Sequence, residues 1–196
     1  MADSMVDQAL LETWNRRHAE AEDLGRVATV VEQNLHLVKP GVQALDLACG
    51  RGATALYMAA AGLDVTAWDL SPVAIQRLEL AAAEQGLSIR TAVRDVIAAP
   101  PEPASFDLVL VSYFLERSLA PAIARALRPG GLLFYQTFSR AAVSDEGPRS
   151  EQYRLGDNEL LDLFAMLKVR VYREERCLGD TSRGWRDLAM LVAERV

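Results

Sequence analysis

With 196 residues and a mass of 21.5 kDa, the chain is the size of one medium domain and long enough to bury a core. Its 51% hydrophobic and 24% charged residues exclude a disordered chain, and no stretch reaches the roughly 18 apolar residues of a membrane span. Lys and Arg total 21 against 27 Asp and Glu, a formal charge of −6 that offers no general attraction to nucleic acid or an anionic membrane surface.

Met1 to Gln8 carries Asp3 and Asp7 and no basic run, so it does not read as a secretory signal. Cys49 and Cys177 form no disulfide framework, and the chain reads as cytoplasmic. Leu10 to Leu37 reads as one or two helices with a break near Gly25, a helical cap over residues 1–38. Ala44 to Ala48 is a short apolar strand, Gly50-Arg51-Gly52 a turn, and Ala53 to Ala61 a helix closed by Gly62. Val65 to Trp68 is the next strand, ending at Asp69. Ser71 and Pro72 then open a helix that Gly86 ends: a hydroxyl cap, and a proline where a missing N–H costs nothing.

Ser88 to Val93 is a third strand, and three prolines keep 98–103 irregular. Phe106 to Val111 is near-continuously apolar, as a strand buried on both faces must be. A helix from Ala120 to Leu127 leads through Pro129-Gly130-Gly131 to a strand at Leu132 to Phe138, closing a core over 40–138. Residues 139–156 read as a loop or lid. A helix at Asn158 to Leu167 and strands at Val169 to Arg173 and Leu188 to Ala193 fill 157–196. Alternation of this kind predicts one α/β domain with a parallel sheet covered by helices, its binding site beyond the carboxyl ends of the strands.

Asp46 to Gly52 joins the first strand to its helix, and its glycines let a ligand approach the backbone. Gly50-Arg51-Gly52-Ala53-Thr54-Ala55 satisfies the dinucleotide pattern G-x-G-x-x-G/A, which leaves NAD and a small oxidoreductase as one alternative. Asp46 favours another cofactor: a carboxylate repels a pyrophosphate but suits the cationic amino-acid end of S-adenosylmethionine. Asp69, at the end of the second strand, can accept from both ribose hydroxyls of either cofactor. Asp95 can accept from an adenine amine while the Val96 N–H donates to the ring, with Leu70 and Val96 flanking its faces. For each acid, a plain helix or turn cap is the alternative.

Leu45-Asp46-Leu47-Ala48-Cys49-Gly50-Arg51-Gly52, Val65-Thr66-Ala67-Trp68-Asp69-Leu70-Ser71-Pro72, Phe106-Asp107-Leu108-Val109 and Leu127-Arg128-Pro129-Gly130-Gly131 resemble class I S-adenosylmethionine-dependent methyltransferases, the tellurite-resistance-like group in particular. The resemblance spans about residues 40–138. It implies a Rossmann-like three-layer sandwich around a mostly parallel seven-stranded sheet with an antiparallel last strand. It also implies a cofactor role for Asp46, Gly50, Gly52, Asp69 and Asp95. Ala48, in the same cofactor loop, replaces a frequent glycine, and Ala53-Thr54 replaces the Arg-Asn of the tellurite-resistance relatives.

Methyl transfer from a sulfonium requires collinear positioning and exclusion of water. A soft acceptor needs no base; a phenol or alcohol does. His18 is the candidate base, in a segment that can fold over the cofactor. Tyr113 and Arg117, after the fourth strand, are candidates to orient the acceptor, beside Phe114, Gln136 and Phe138, with Arg140, Arg149 and Arg183 as further anion-attracting residues. Cys49 reads as a small packed residue rather than a nucleophile, and no metal-ligand spacing occurs. The expected acceptor is a small molecule, with a metalloid oxyanion or thiol in view, and neither nucleic acid nor membrane as partner. A silent cofactor-binding scaffold is a further alternative.

Overall fold

The computed structural model describes residues 8–196; the signal-peptide reading of the N-terminus rests on residues 1–7, outside the described ones. Its strands are β1 Gln43–Leu47, β2 Asp64–Asp69, β3 Ile89–Val93, β4 Phe106–Ser112, β5 Leu127–Phe138, β6 Lys168–Arg173 and β7 Leu188–Glu194. Its helices are α1 Gln8–Glu20, α2 Thr29–Asn34, α3 Ala53–Ala60, α4 Pro72–Glu84, α5 Ala120–Ala126 and α6 Glu159–Leu163. One sheet runs in the order β3-β2-β1-β4-β5-β7-β6. β1 to β5 pair in parallel, and β7 is antiparallel to both of its neighbours. This is the mostly parallel, seven-stranded Rossmann-like sandwich with a reversed last strand.

The strand sequences explain the layers. Successive residues point to opposite faces, and both faces are covered, so β1 and β4 are buried almost throughout. Leu45, Leu47, Val109 and Val111 pack into one core with Ile123 of α5 and Leu160 of α6. Ala44, Leu108, Leu110 and Phe134 pack into the other with Val30 of α2, Met58 of α3 and Leu78 of α4. Asp46 falls on this second face by the same alternation. β1 connects to β2 on one side and lies beside β4 on the other, so the strand order reverses between them and a crevice opens past their carboxyl ends.

Two elements differ from the sequence expectation, and a third resolves a choice that the expectation left open. Pro129-Gly130-Gly131 does not precede β5 but bulges within it: Leu127 pairs with Phe106, and the register resumes at Leu132 opposite Leu108. The excursion is held by Arg128 on Asp107 and by Gly130 and Gly131 pairing with the backbone of Arg195. The helix expected to reach Leu167 stops at Leu163, because Phe164 and Leu167 both turn into the core just before β6 begins at Lys168. The N-terminal region resolves into two helices, with Gly25 at φ +92° between them.

Ala48 stands at φ +57°, the left-handed region that costs an L-residue about 1 kcal/mol. Ala48→Gly should therefore add a fraction of a kcal/mol to the unfolding free energy and raise the urea midpoint slightly, since glycine relieves the strain but loses more chain entropy on folding. A lowered midpoint would show that the Ala48 methyl packs better than its backbone is strained.

Candidate active site

Asp46 is 1% exposed at the end of β1, and its Oδ1 has no hydrogen-bond partner. Burial raises its pKa to about 8, the Asp69 charge adds to the rise, and the Ala55 N–H at the start of α3 opposes it. A buried carboxyl oxygen without a donor, beside a second carboxylate, is a site prepared for a cation.

The loop beyond it is shaped by two glycines with left-handed backbone. Gly50 stands at φ +55° and Gly52 at φ +84°. A Cβ on Gly52 would lie 2.3 Å from Leu78 Cδ1, so only glycine lets α3 start this close to α4. Asp69 braces the loop from β2: its Oδ2 accepts the Gly50 N–H and its Oδ1 the Ser71 N–H, both at 2.8 Å. Each oxygen keeps a lone pair for a ribose hydroxyl. Asp69→Ala should lower cofactor affinity at least about tenfold and also reduce stability, because two backbone donors lose their acceptor. Unchanged affinity in a folded variant would leave Asp69 a loop brace only.

Asp95 follows β3, and its Oδ1 caps the Ile97 and Ala98 N–H groups. Val96 is turned into the core cluster that holds Leu47 and Trp68, while Leu70 stays half-buried at the crevice. Cys49 has its thiol pKa pushed up by burial and by Asp46 and Asp69, which opposes thiolate chemistry there.

α1 lies across this loop. His18 is buried, its Cε1 sits 3.5 Å from where a Cβ on Gly50 would be, and its ring stacks on Trp14. Burial lowers its pKa, Asp69 opposing and Arg51 and Arg77 adding, so the imidazole is held neutral. Arg77 donates to the carbonyls of His18 and Ala21, and Arg51 to that of Asp23. Ser71 also donates to Asn15. These clamps were not read from the sequence. Arg51 lay in view between the two glycines, but its partner is 28 residues away.

Leu47 pairs with Val111, so Ala48 leaves β1 level with Ser112, the last residue of β4, and Tyr113 follows at the same end. Tyr113 adopts φ +57°, is 45% exposed and has its ring 5.4 Å from that of Phe138. Burial raises its hydroxyl pKa and the Gln136 amide opposes the rise. Arg117 is drawn away from the crevice. Its guanidinium bonds Glu159 through two nitrogens and also the carbonyls of Gln152 and Arg154. It thus ties the β4 exit to α6, its donors turned to protein groups rather than to an acceptor. Arg140 reaches the Glu151 carbonyl, and Arg149 lines a cavity of about 400 Å³ with Arg154 and Ser144.

The expected lid is a braced loop. Arg154, buried, donates to the carbonyls of Ser139, Glu146 and Pro148, and Asp187 accepts from the Val143 and Ser144 N–H groups. Among the described residues no group of three His, Cys, Asp or Glu is placed to hold a metal, and no helix is long and apolar enough to cross a membrane.

A family described as "Methyltransferase domain" matches residues 44–131, the stretch that carries Asp46, the glycine loop, Asp69 and Asp95. Among solved structures, TehB from Haemophilus influenzae superposes with a TM-score of 0.69 at 23% identity, covering 86% of this chain and 62% of that one. The chain has the class I S-adenosylmethionine-dependent methyltransferase fold. A second match among solved structures is the protein described under "Conversion of a Disulfide Bond into a Thioacetal Group during Echinomycin Biosynthesis". It superposes with a TM-score of 0.71 at 23% identity, covering 95% of this chain and 92% of that one. Among curated relatives, the ubiquinone biosynthesis O-methyltransferase of Xanthomonas campestris pv. campestris is 38% identical over 111 residues, 54% of this chain and 46% of the relative. The chain thus spans about half the length of the curated relatives it matches. S-adenosylmethionine is the cofactor of this methyltransferase fold, and the unpartnered Asp46 Oδ1 fits its ammonium.

Proposed function

We propose that this protein is a methyltransferase that moves a methyl group from S-adenosylmethionine to a small-molecule acceptor. The observation that carries the reading is the buried, unpartnered Asp46 oxygen beside Asp69, a pair that suits a cationic amino acid and a ribose and repels a pyrophosphate. When bound, the cofactor supplies an electrophilic methyl group on a sulfonium that leaves without acid assistance.

The chain's residues then have separate tasks in this proposal. Asp46 holds the ammonium and Asp69 the ribose hydroxyls, while Gly50 and Gly52 allow close approach of the backbone. Asp95, Leu70 and the Val96 N–H receive the adenine, and His18 with Trp14 covers the loop against water. Tyr113 and Phe138 wall the acceptor side. The engagement of Arg117 by Glu159 and the Gln152 and Arg154 carbonyls weakens the metalloid-oxyanion form of the acceptor and leaves a thiol or comparable soft nucleophile in front. The negative net charge argues against a nucleic-acid acceptor.

The test has two steps. Calorimetric titration should show binding of S-adenosylhomocysteine and none of NAD; the reverse would overturn the cofactor and make the protein a small oxidoreductase. Labelled-methyl transfer across thiols, phenols, oxyanions, small carboxylates, RNA and protein extract should then show turnover on a small molecule. Turnover on RNA or protein alone would overturn the acceptor class.

A further inference from the structure

Among the described residues, Gln136 is a buried polar side chain on the acceptor side whose amide is only half used. It lies fully buried on β5, two residues beyond Phe134 and therefore on the sheet face covered by α2. Its Oε1 accepts the Val30 N–H at 2.7 Å. That N–H is an orphan donor of the first turn of α2, where Ala28 supplies no side-chain cap. An N–H requires an oxygen opposite it, so the orientation of the amide is decided and Nε2 must point the other way. Nε2 closes no hydrogen bond, and the Tyr113 hydroxyl lies near enough to respond to this amide.

Tyr113 is fixed from a second direction. Its N–H donates to the Gln136 carbonyl at 2.9 Å, and its backbone is held at φ +57°. Main chain and side chain of one residue therefore both meet Tyr113. Asp46, Leu110 and Phe134 lie in register across β1, β4 and β5, which places Gln136 roughly 12 Å from Asp46 on the same face. That separation leaves room for a cofactor's amino-acid arm and methyl group between them.

We propose that Gln136 is a positioning residue that donates to the Tyr113 oxygen and so turns the Tyr113 O–H outwards, as a donor to an oxygen lone pair on the methyl acceptor. This rests on the methyltransferase reading above and deepens it. Burial keeps this phenol protonated against the pull of that donor, so it takes no proton from the acceptor. Glu32, Glu146 and Arg26 are the charged groups around the hydroxyl, and two acids against one base further favour its protonated form. The acceptor is then a nucleophile that ionises unaided, such as a thiol, and carries a carbonyl-type oxygen for Tyr113 to hold.

The test uses benzenethiol and its para-acetyl derivative, which adds a carbonyl oxygen, titrated into the full chain with and without S-adenosylhomocysteine. The acetyl compound should bind at least about tenfold more tightly to the wild-type chain, and the preference should vanish in Tyr113→Phe and in Gln136→Glu. Gln136→Glu keeps an acceptor for the Val30 N–H but presents an acceptor to Tyr113, so the phenol proton turns inwards. In that variant the Tyr113 ionisation, read as the ultraviolet difference against Tyr113→Phe, should move to higher pH. A merely structural Gln136 would leave that ionisation in place. Equal affinity for the two thiols, including no measurable binding of either, overturns the proposal, as does a preference that survives Tyr113→Phe. Failure to bind S-adenosylhomocysteine while the thiol preference persists overturns the methyltransferase reading and leaves the Gln136–Tyr113 pair standing.

Discussion

Gly52→Val should cost about 3–5 kcal/mol of stability, a large part of what a domain of this size has. Two effects add. Valine at φ +84° is strained wherever it stands, and its Cβ would overlap Leu78, which is fully buried and has nowhere to go. The urea midpoint should fall sharply, and cofactor affinity in whatever folds should fall with it, because Gly52 also begins α3. Ala48→Gly, four residues earlier in the same loop, should move the midpoint the other way. A Gly52→Val chain with a wild-type midpoint would mean that α3 and α4 can separate without loss.

Asp46→Asn should make the free protein more stable at neutral and alkaline pH and weaken cofactor binding by about ten- to a hundredfold. The sign follows from the raised pKa. The folded carboxyl titrates near 8, whereas in the unfolded chain it titrates near 3.8. Between those values the folded form holds a proton that the unfolded form has lost, so the contribution of Asp46 declines as pH rises through that window. Asparagine keeps the shape and never ionises, which removes the decline. Binding of an ammonium requires the carboxylate, so cofactor affinity should rise with pH up to about 8, with proton release below it. Calorimetry in buffers of different ionisation heat checks this. Affinity independent of pH, with no proton released, would mean that Asp46 does not meet the ammonium.

What could be read from the sequence is what is local in it. Asp46, Gly50 and Gly52 lie on one strand–turn–helix, and Ser71-Pro72 announces α4 within a few residues, so these elements stand where they were expected. The parallel sheet followed because alternating strands and helices admit few arrangements, while its seven strands and reversed last strand were implied by the family resemblance. The proposed acceptor side depends on distant partners instead. Gln136 meets Val30 across 106 residues, and Arg117 meets Glu159 across 42, which turns an apparent substrate arginine into a tie between elements. The bulge in β5 needs the backbone of Arg195, almost at the other end of the chain. Thr54, which departs from the tellurite-resistance pattern, accepts the Ala28 N–H and so joins the start of α2 to α3.

The clamp on α1 has a consequence for how this fold can change. Arg77 and Arg51 grip main-chain carbonyls at and just beyond the helix's last turn, where unpaired oxygens and the negative end of its dipole gather. Every residue type supplies such a carbonyl. Trp14, Asn15, His18 and Asp23 add side-chain contacts, but these three arginine contacts form whatever side chains the segment carries. The cover over the site and its side-chain lettering are in this way separable. A lineage could redraw the surface of α1 while keeping the same closure beneath it.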